Sequence, residues 1–192
     1  MKYPAVLLAS QSPRRKFLLG EAGIDFRQMN PDVNEVWPKH LDVEKIPEHL
    51  AELKARALLK ERREDEVIIA ADSIVVLDGK LIGKPGDEKI AADTLRKLSG
   101  RVHKVITGLC MISEKGPWLQ SETAEVKMGD LTEEEIEYYI RKYRPFDKAG
   151  SYGIQEWLGL CRVEYIKGTF SNIMGLPMYT VYEMLKDSAT GK

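Results

Sequence analysis

Apolar positions along this chain fall into short blocks whose spacing switches between that of strands and that of helices. Ala5 to Ala9 is an unbroken apolar run and reads as a short buried strand. Ser12-Pro13 then supplies a cap and a first-turn proline for a helix carrying Phe17, Leu18 and Ala22, and Gly23 ends it. From Ile46 to Lys60, Leu50, Leu53, Ala57 and Leu58 recur at helical spacing on one face. Val67 to Leu77 is apolar and β-branched, hence a strand, with Asp78-Gly79 as the turn behind it. Asp87 to Leu98 is a third helix, apolar at Ile90, Ala91, Leu95 and Leu98. Arg101 to Ile112 and Glu122 to Met128 read as strands, and Thr132 with Glu135 forms a capping box for a helix to about Arg141. Lys148 to Gly175 mixes glycine turns with short strands, and a last helix covers Pro177 to Lys186. Early alternation of strands and helices followed by clustered strands predicts an α/β fold with a mixed sheet, in a single domain over 1–192.

Composition narrows the partners. With 29 basic and 30 acidic side chains the net charge is -1, so neither nucleic acid nor an anionic membrane is an expected partner of the overall field. Any anion must be held by a local cluster. The start, Met1 to Ala9, looks like a leader, but its apolar run is short and Arg14-Arg15 follow where a cleavage region should lie. No segment reads as a bilayer span, and a cytoplasmic location is the expectation. Cys110 and Cys161 both sit in apolar stretches outside any Cys-x-x-Cys pair and are expected to be buried thiols.

Several positions carry candidate chemistry. In Ser10-Gln11-Ser12-Pro13-Arg14-Arg15 a strand ends and a helix begins with two arginines in its first turn. Positive charge there opposes the helix dipole, so helix stability does not account for it. Either an anion rests on the turn's N–H groups and guanidinium groups, or the turn is merely basic and solvated. Asp72, in Ala70-Ala71-Asp72-Ser73, is a carboxylate inside an apolar strand. Such a charge is costly unless paired, metal-bound or at a cleft, and at a strand end it would suit cation binding or activation of water. Lys54 lies on or beside its helix's apolar face, snorkelling or pointing into a phosphate pocket. Lys84, in Gly83-Lys84-Pro85, is kept extended by the proline; it is either a lone surface lysine or, if the hairpin folds back, a neighbour of Asp72. In Asp147 to Gln155, two glycines permit close approach, and Gln155 has the donor and acceptor needed to read a base edge. Phosphate-loop, dinucleotide-fingerprint and serine-elbow motifs are missing, and His40, His49 and His103 lack zinc spacing.

These segments, in order, resemble the Maf family. The resemblance rests on Leu8 to Arg15, Ala70 to Ser73, Gly83 to Pro85, Leu98 to His103, Asp147 to Gln155 and Asn172 to Pro177, and covers nearly the whole chain. It implies a mixed, twisted sheet flanked by helices, with two lobes around a central cleft, related to the inosine triphosphate pyrophosphatases. It implies hydrolysis of a nucleoside triphosphate between the α- and β-phosphates with Mg²⁺ or Mn²⁺. By resemblance Asp72 is the proton acceptor and, with Glu35, a metal residue. Ser10, Arg14, Arg15, Lys54 and Lys84 surround the triphosphate, while Arg14, Ser73 and Gln155 govern substrate choice. The segment Asp147 to Gln155 is similar to the branch acting on dTTP and UTP, and the 7-methyl-GTP branch tends to carry Glu at the Gln155 position. Two departures stand out: Ser73 replaces the usual Thr, and Glu156 follows Gln155 where the branch commonly has Gly. The family's older name, for septum formation, implies a link to cell division, and a purely binding role there is the alternative of another class. A homodimer is the expected assembly.

Overall fold

A computed structural model describes residues 3–190. Met1 and Lys2, at the head of the leader-like run, and the last two residues lie outside it. The strands are β1 (Ala5–Ala9), β2 (Phe26–Met29), β3 (Glu66–Leu77), β4 (Lys80–Ile82), β5 (Val102–Ser113), β6 (Gly116–Met128) and β7 (Val163–Lys167). The helices are α1 (Pro13–Glu21), α2 (Ile46–Ala57), α3 (Glu88–Leu98), α4 (Glu133–Tyr143), α5 (Trp157–Cys161), α6 (Phe170–Met174) and α7 (Met178–Thr190). One sheet takes the strands in the order β2-β1-β3-β5-β6-β7, with β4 also paired to β3. It is mixed: β1 runs parallel to β2 and β3, while β3–β4 and β6–β7 are antiparallel. No described helix is long and apolar enough to cross a membrane.

The chain forms two compact units. The first comprises the chain to Asp72, Thr107–Glu122 and the chain from Gly175; the second comprises Ser73–Ile106 and Thr123–Met174. In the first, strand parity sorts the core into two layers. Val6, Leu8, Val67 and Ile69 pack with Leu19 of α1 and Val181, Met184 and Leu185 of α7. Leu7, Ala9, Ile68 and Ala70 pack on the other side with Ala51 and Ala55 of α2. Near the start of α2 the backbone of Pro47 and Glu48 comes so close to Gly108 of β5 that a Cβ there would collide with it. The second unit is built around Val75, Val105 and Val126, with Ile82, Val163 and Ile173 against them.

Caps set the helix starts as the sequence suggests. Ser12 accepts from the Arg15 N–H, Asp87 accepts from the Ile90 N–H, and both bonds of the Thr132–Glu135 capping box form. Other expectations need correction. The glycine-rich stretch from Lys148 to Gly175 holds two short helices, α5 and α6, and only one strand. Ile90 is exposed, and Ala91, Thr94, Leu95 and Leu98 form the buried face of α3. Cys110 is buried, and burial pushes its thiol up to about 12. Cys161, at the end of a one-turn helix, is exposed. Strand β2 carries no apolar run; its Arg27 reaches Glu66 on β3 through two bonds of 2.6 and 2.7 Å. The guanidinium, acting against the effect of burial, holds the Glu66 carboxyl at about 2.

Candidate active site

The parity that builds the first unit's core also aims its polar side chains. Asp72 lies two and four residues beyond Ala70 and Ile68, so it projects from β3 toward α2. On α2, Lys54 follows Leu50 and Ala51 by four and three residues and shares their buried stripe. The two side chains meet: Lys54 Nζ lies 2.5 Å from Asp72 Oδ1 and 2.8 Å from Glu35 Oε1. Lys54 is only 7% exposed, so it does not snorkel to solvent. Its ammonium is the counter-charge of two carboxylates, and loss of it would remove the direct partner of Asp72, itself mostly enclosed. Asp72 sits in the interior of β3 and not at a strand end, although it is the last residue of the first unit. Glu35 arrives from the irregular segment between β2 and α2 and stays about half exposed.

The turn after β1 is a fixed structure, not a solvated basic loop. Ser10 is buried, and its Oγ accepts from the Ser12 N–H and from Arg15 Nη1, each at 3.1 Å. That leaves the hydroxyl proton of Ser10 to donate elsewhere. Arg15 Nε donates to the Gly175 carbonyl at 2.7 Å, tying the turn to the start of the chain's last segment, and Gln28 Nε2 donates to the Ser10 carbonyl at 2.6 Å. Desolvation is the largest influence on Arg15, which is half-buried by surface yet lodged among protein groups, and it lowers the pKa. The Asp72 and Glu35 carboxylates oppose that shift, and the Arg14 charge adds to it. An arginine keeps its proton under any such influence. Cationic groups and helix N–H donors thus gather around Ser10, Arg14 and Arg15, with the Asp72–Lys54–Glu35 chain of charges in electrostatic range of Arg15.

The remaining sequence candidates belong to the second unit. Ser73 is its first residue and half-buried, and Lys84 stands exposed after the β3–β4 hairpin. Gln155 lies in the turn before α5, and its Oε1 is buried with no hydrogen-bond partner among the described residues. The turn and its neighbours make contacts that the sequence did not reveal. Tyr139 of α4 donates to Glu156 and accepts the Gly153 N–H at 2.9 Å. Lys148 lies 3.2 Å from Glu156. His103 Nε2 is 2.7 Å from Tyr152 Oη, and burial lowers the His103 pKa to about 4. A tyrosine on the apolar face of α4, between Ile136 and Ile140, was the available signal, because a buried hydroxyl needs a partner.

As for a metal, no group of three or more His, Cys, Asp or Glu side chains among the described residues is arranged to hold one. Asp72 and Glu35 do converge on a single ammonium, and two carboxylates are the protein share typical of a Mg²⁺ site that fills its shell with water and phosphate oxygens. The donor set fits such an ion.

A parallel β–turn–helix with Arg15 pinned at the helix start thus stands beside the Asp72 carboxylate of the neighbouring strand and its Lys54 partner from α2, in a mixed α/β fold. The family model described as Maf-like protein matches residues 5–188, and the chain belongs to the Maf family. It is 45% identical to a dTTP/UTP pyrophosphatase of Porphyromonas gingivalis over 97% of this chain and 96% of that one. Proteins of the same name from Phocaeicola vulgatus and Bacteroides thetaiotaomicron are 47% and 46% identical, each over 94% of both chains. Among solved structures, the Staphylococcus aureus Ham1 protein aligns over 66% of this chain with a TM-score of 0.44 and 18% identity, too slight a likeness to bear on function.

Proposed function

We propose that this chain hydrolyses the α–β phosphoanhydride of dTTP and UTP to the monophosphate and pyrophosphate. The observation that carries the reading is the Lys54 ammonium held between Asp72 and Glu35, in a chain similar along almost its full length to proteins named dTTP/UTP pyrophosphatase. Asp72 accepts the proton of the attacking water. Lys54 orients that carboxylate through their 2.5 Å contact. Arg15, fixed by Ser10 and Gly175, meets the phosphate oxygens without reorganising, and Arg14 and the Ser10 hydroxyl add donors at the helix start. A divalent cation such as Mg²⁺ or Mn²⁺, held by Asp72 and Glu35 when bound, supplies further neutralisation of phosphate charge. Substrate choice is assigned to Arg14, Ser73 and Gln155. A carboxamide offers an N–H₂ donor beside a carbonyl acceptor, the complement of the imide edge shared by uracil and thymine.

The test is pyrophosphate release from a panel of ribo-, deoxyribo- and modified nucleoside triphosphates with Mg²⁺ or Mn²⁺, run beside Asp72→Asn. Metal-dependent release from dTTP and UTP, reduced at least about 10³-fold in the variant, is expected. Near-normal turnover by Asp72→Asn would remove the base assignment, and silence across the panel would remove the activity.

A further inference from the structure

Glu156 occupies the N-cap position of α5, yet its side chain makes no bond to that helix. It turns back instead. One carboxylate oxygen accepts from Tyr139 Oη, and the other lies 3.2 Å from Lys148 Nζ. Tyr139 is fully enclosed and Lys148 nearly so, and a hydroxyl or an ammonium in such a place needs a partner. Burial, reinforced by the neighbouring carboxylate, raises the Tyr139 pKa, so the phenol keeps its proton and remains a donor. Its oxygen accepts the Gly153 N–H, and the Glu156 N–H donates to the Gly153 carbonyl at 3.0 Å, closing the turn that contains Gln155.

Gly153 shows how tightly that turn is held. A Cβ there would stand 2.8 Å from Glu156 Cδ and 3.0 Å from Gln155 Nε2, so both side chains fold over the same bare Cα. The Gln155 carboxamide is thereby set in one place, while its buried Oε1 has no hydrogen-bond partner among the described residues. A fixed acceptor of this kind discriminates sharply: it matches the N3–H of an imide base and faces an unprotonated N3 in cytosine. We propose that Tyr139, Glu156 and Lys148 form a brace that positions the Gln155 carboxamide, making them positioning residues for the choice of imide over cytosine bases. The inference rests on the reading of Gln155 as the residue that meets the base. It gives Glu156, a departure from the family pattern, a definite task.

The experiment compares kcat/KM for dTTP and dCTP in the whole protein for Tyr139→Phe, Glu156→Gln and Gln155→Ala, and for each brace variant combined with Gln155→Ala. Tyr139→Phe removes one hydroxyl and keeps the ring; Glu156→Gln keeps the shape and removes the charge facing Lys148. In the natural background each should lower the dTTP:dCTP preference, Tyr139→Phe by about tenfold, chiefly by raising KM for dTTP while kcat changes much less. With Gln155→Ala already present, neither should lower the preference further. An unchanged preference in the brace variants while Gln155→Ala alters it overturns the brace and spares the base reading. An equal loss in both backgrounds also overturns it, since the residues would then act independently of Gln155. An unchanged preference in Gln155→Ala removes the base reading, and the brace with it. Should Tyr139→Phe fail to fold, Glu156→Gln decides the matter by the same comparison.

Discussion

Lowering the pH should weaken the fold through His103, by an amount that the structure allows to be worked out. The imidazole is 1% exposed, sits edge-on to Tyr152, and has a pKa depressed by burial from 6.5 to about 4. Its Nδ1 has no partner among the described residues, which a charged ring would require. Between these two pKa values the unfolded chain binds a proton that the folded chain refuses, so stability falls as the pH falls through that window. With the values of 6.5 and about 4, the loss from pH 7 to pH 5 is about 2 kcal/mol, rising to about 3 kcal/mol below pH 4. Carboxylates titrate in the lower part of the same range, so the natural protein alone does not isolate the effect. Urea unfolding of the natural protein and of His103→Gln, each at pH 7 and pH 5, does. The natural protein should lose about 2 kcal/mol more than the variant over that interval. Equal losses in the two would refute the reasoning, because His103 would then titrate alike in both states.

Two further substitutions probe the first unit. Lys54→Met keeps an unbranched chain one atom shorter but leaves Asp72 and Glu35 without their shared cation; kcat/KM for dTTP should fall at least about 10²-fold with circular dichroism unchanged. A loss below threefold would mean that Lys54 serves the fold and not the reaction. Gly108→Ala places a methyl group into the backbone of Pro47 and Glu48 and should lower stability by about 3 kcal/mol or more, read as a fall in the urea midpoint. An unchanged midpoint would show that α2 can shift without cost.

What was legible in the sequence is what local chemistry determines. Apolar runs, caps and the capping box located β1, α1, β3, α3 and α4, because these features act over a few residues. A charge within an apolar setting likewise exposed Asp72 and Lys54, and their meeting follows from strand parity once both elements exist. Strand β2 was hidden because Phe26-Arg27-Gln28-Met29 has no apolar alternation and owes its place to pairing with β1 and to the Arg27–Glu66 bond. The same holds for α5, a single turn whose preceding Glu156 spends its side chain on distant partners. Glu35 carries no local signal at all. It was named through the family resemblance, and only the fold brings it to Lys54. Cys161 looked like core because Leu158 and Leu160 flank it, yet Leu160 is 72% exposed, and the apolar run spans a short helix that shows one side to solvent.

In the proposed reaction water attacks the α-phosphorus of dTTP or UTP, and pyrophosphate leaves as a unit. Hydrolysis of dTTP in ¹⁸O-labelled water, followed by mass spectrometry of both products, reads out which phosphorus is attacked. The label is expected in the monophosphate, with none in the pyrophosphate and no inorganic phosphate as a first product. Label in the pyrophosphate, or release of single phosphates, would contradict it.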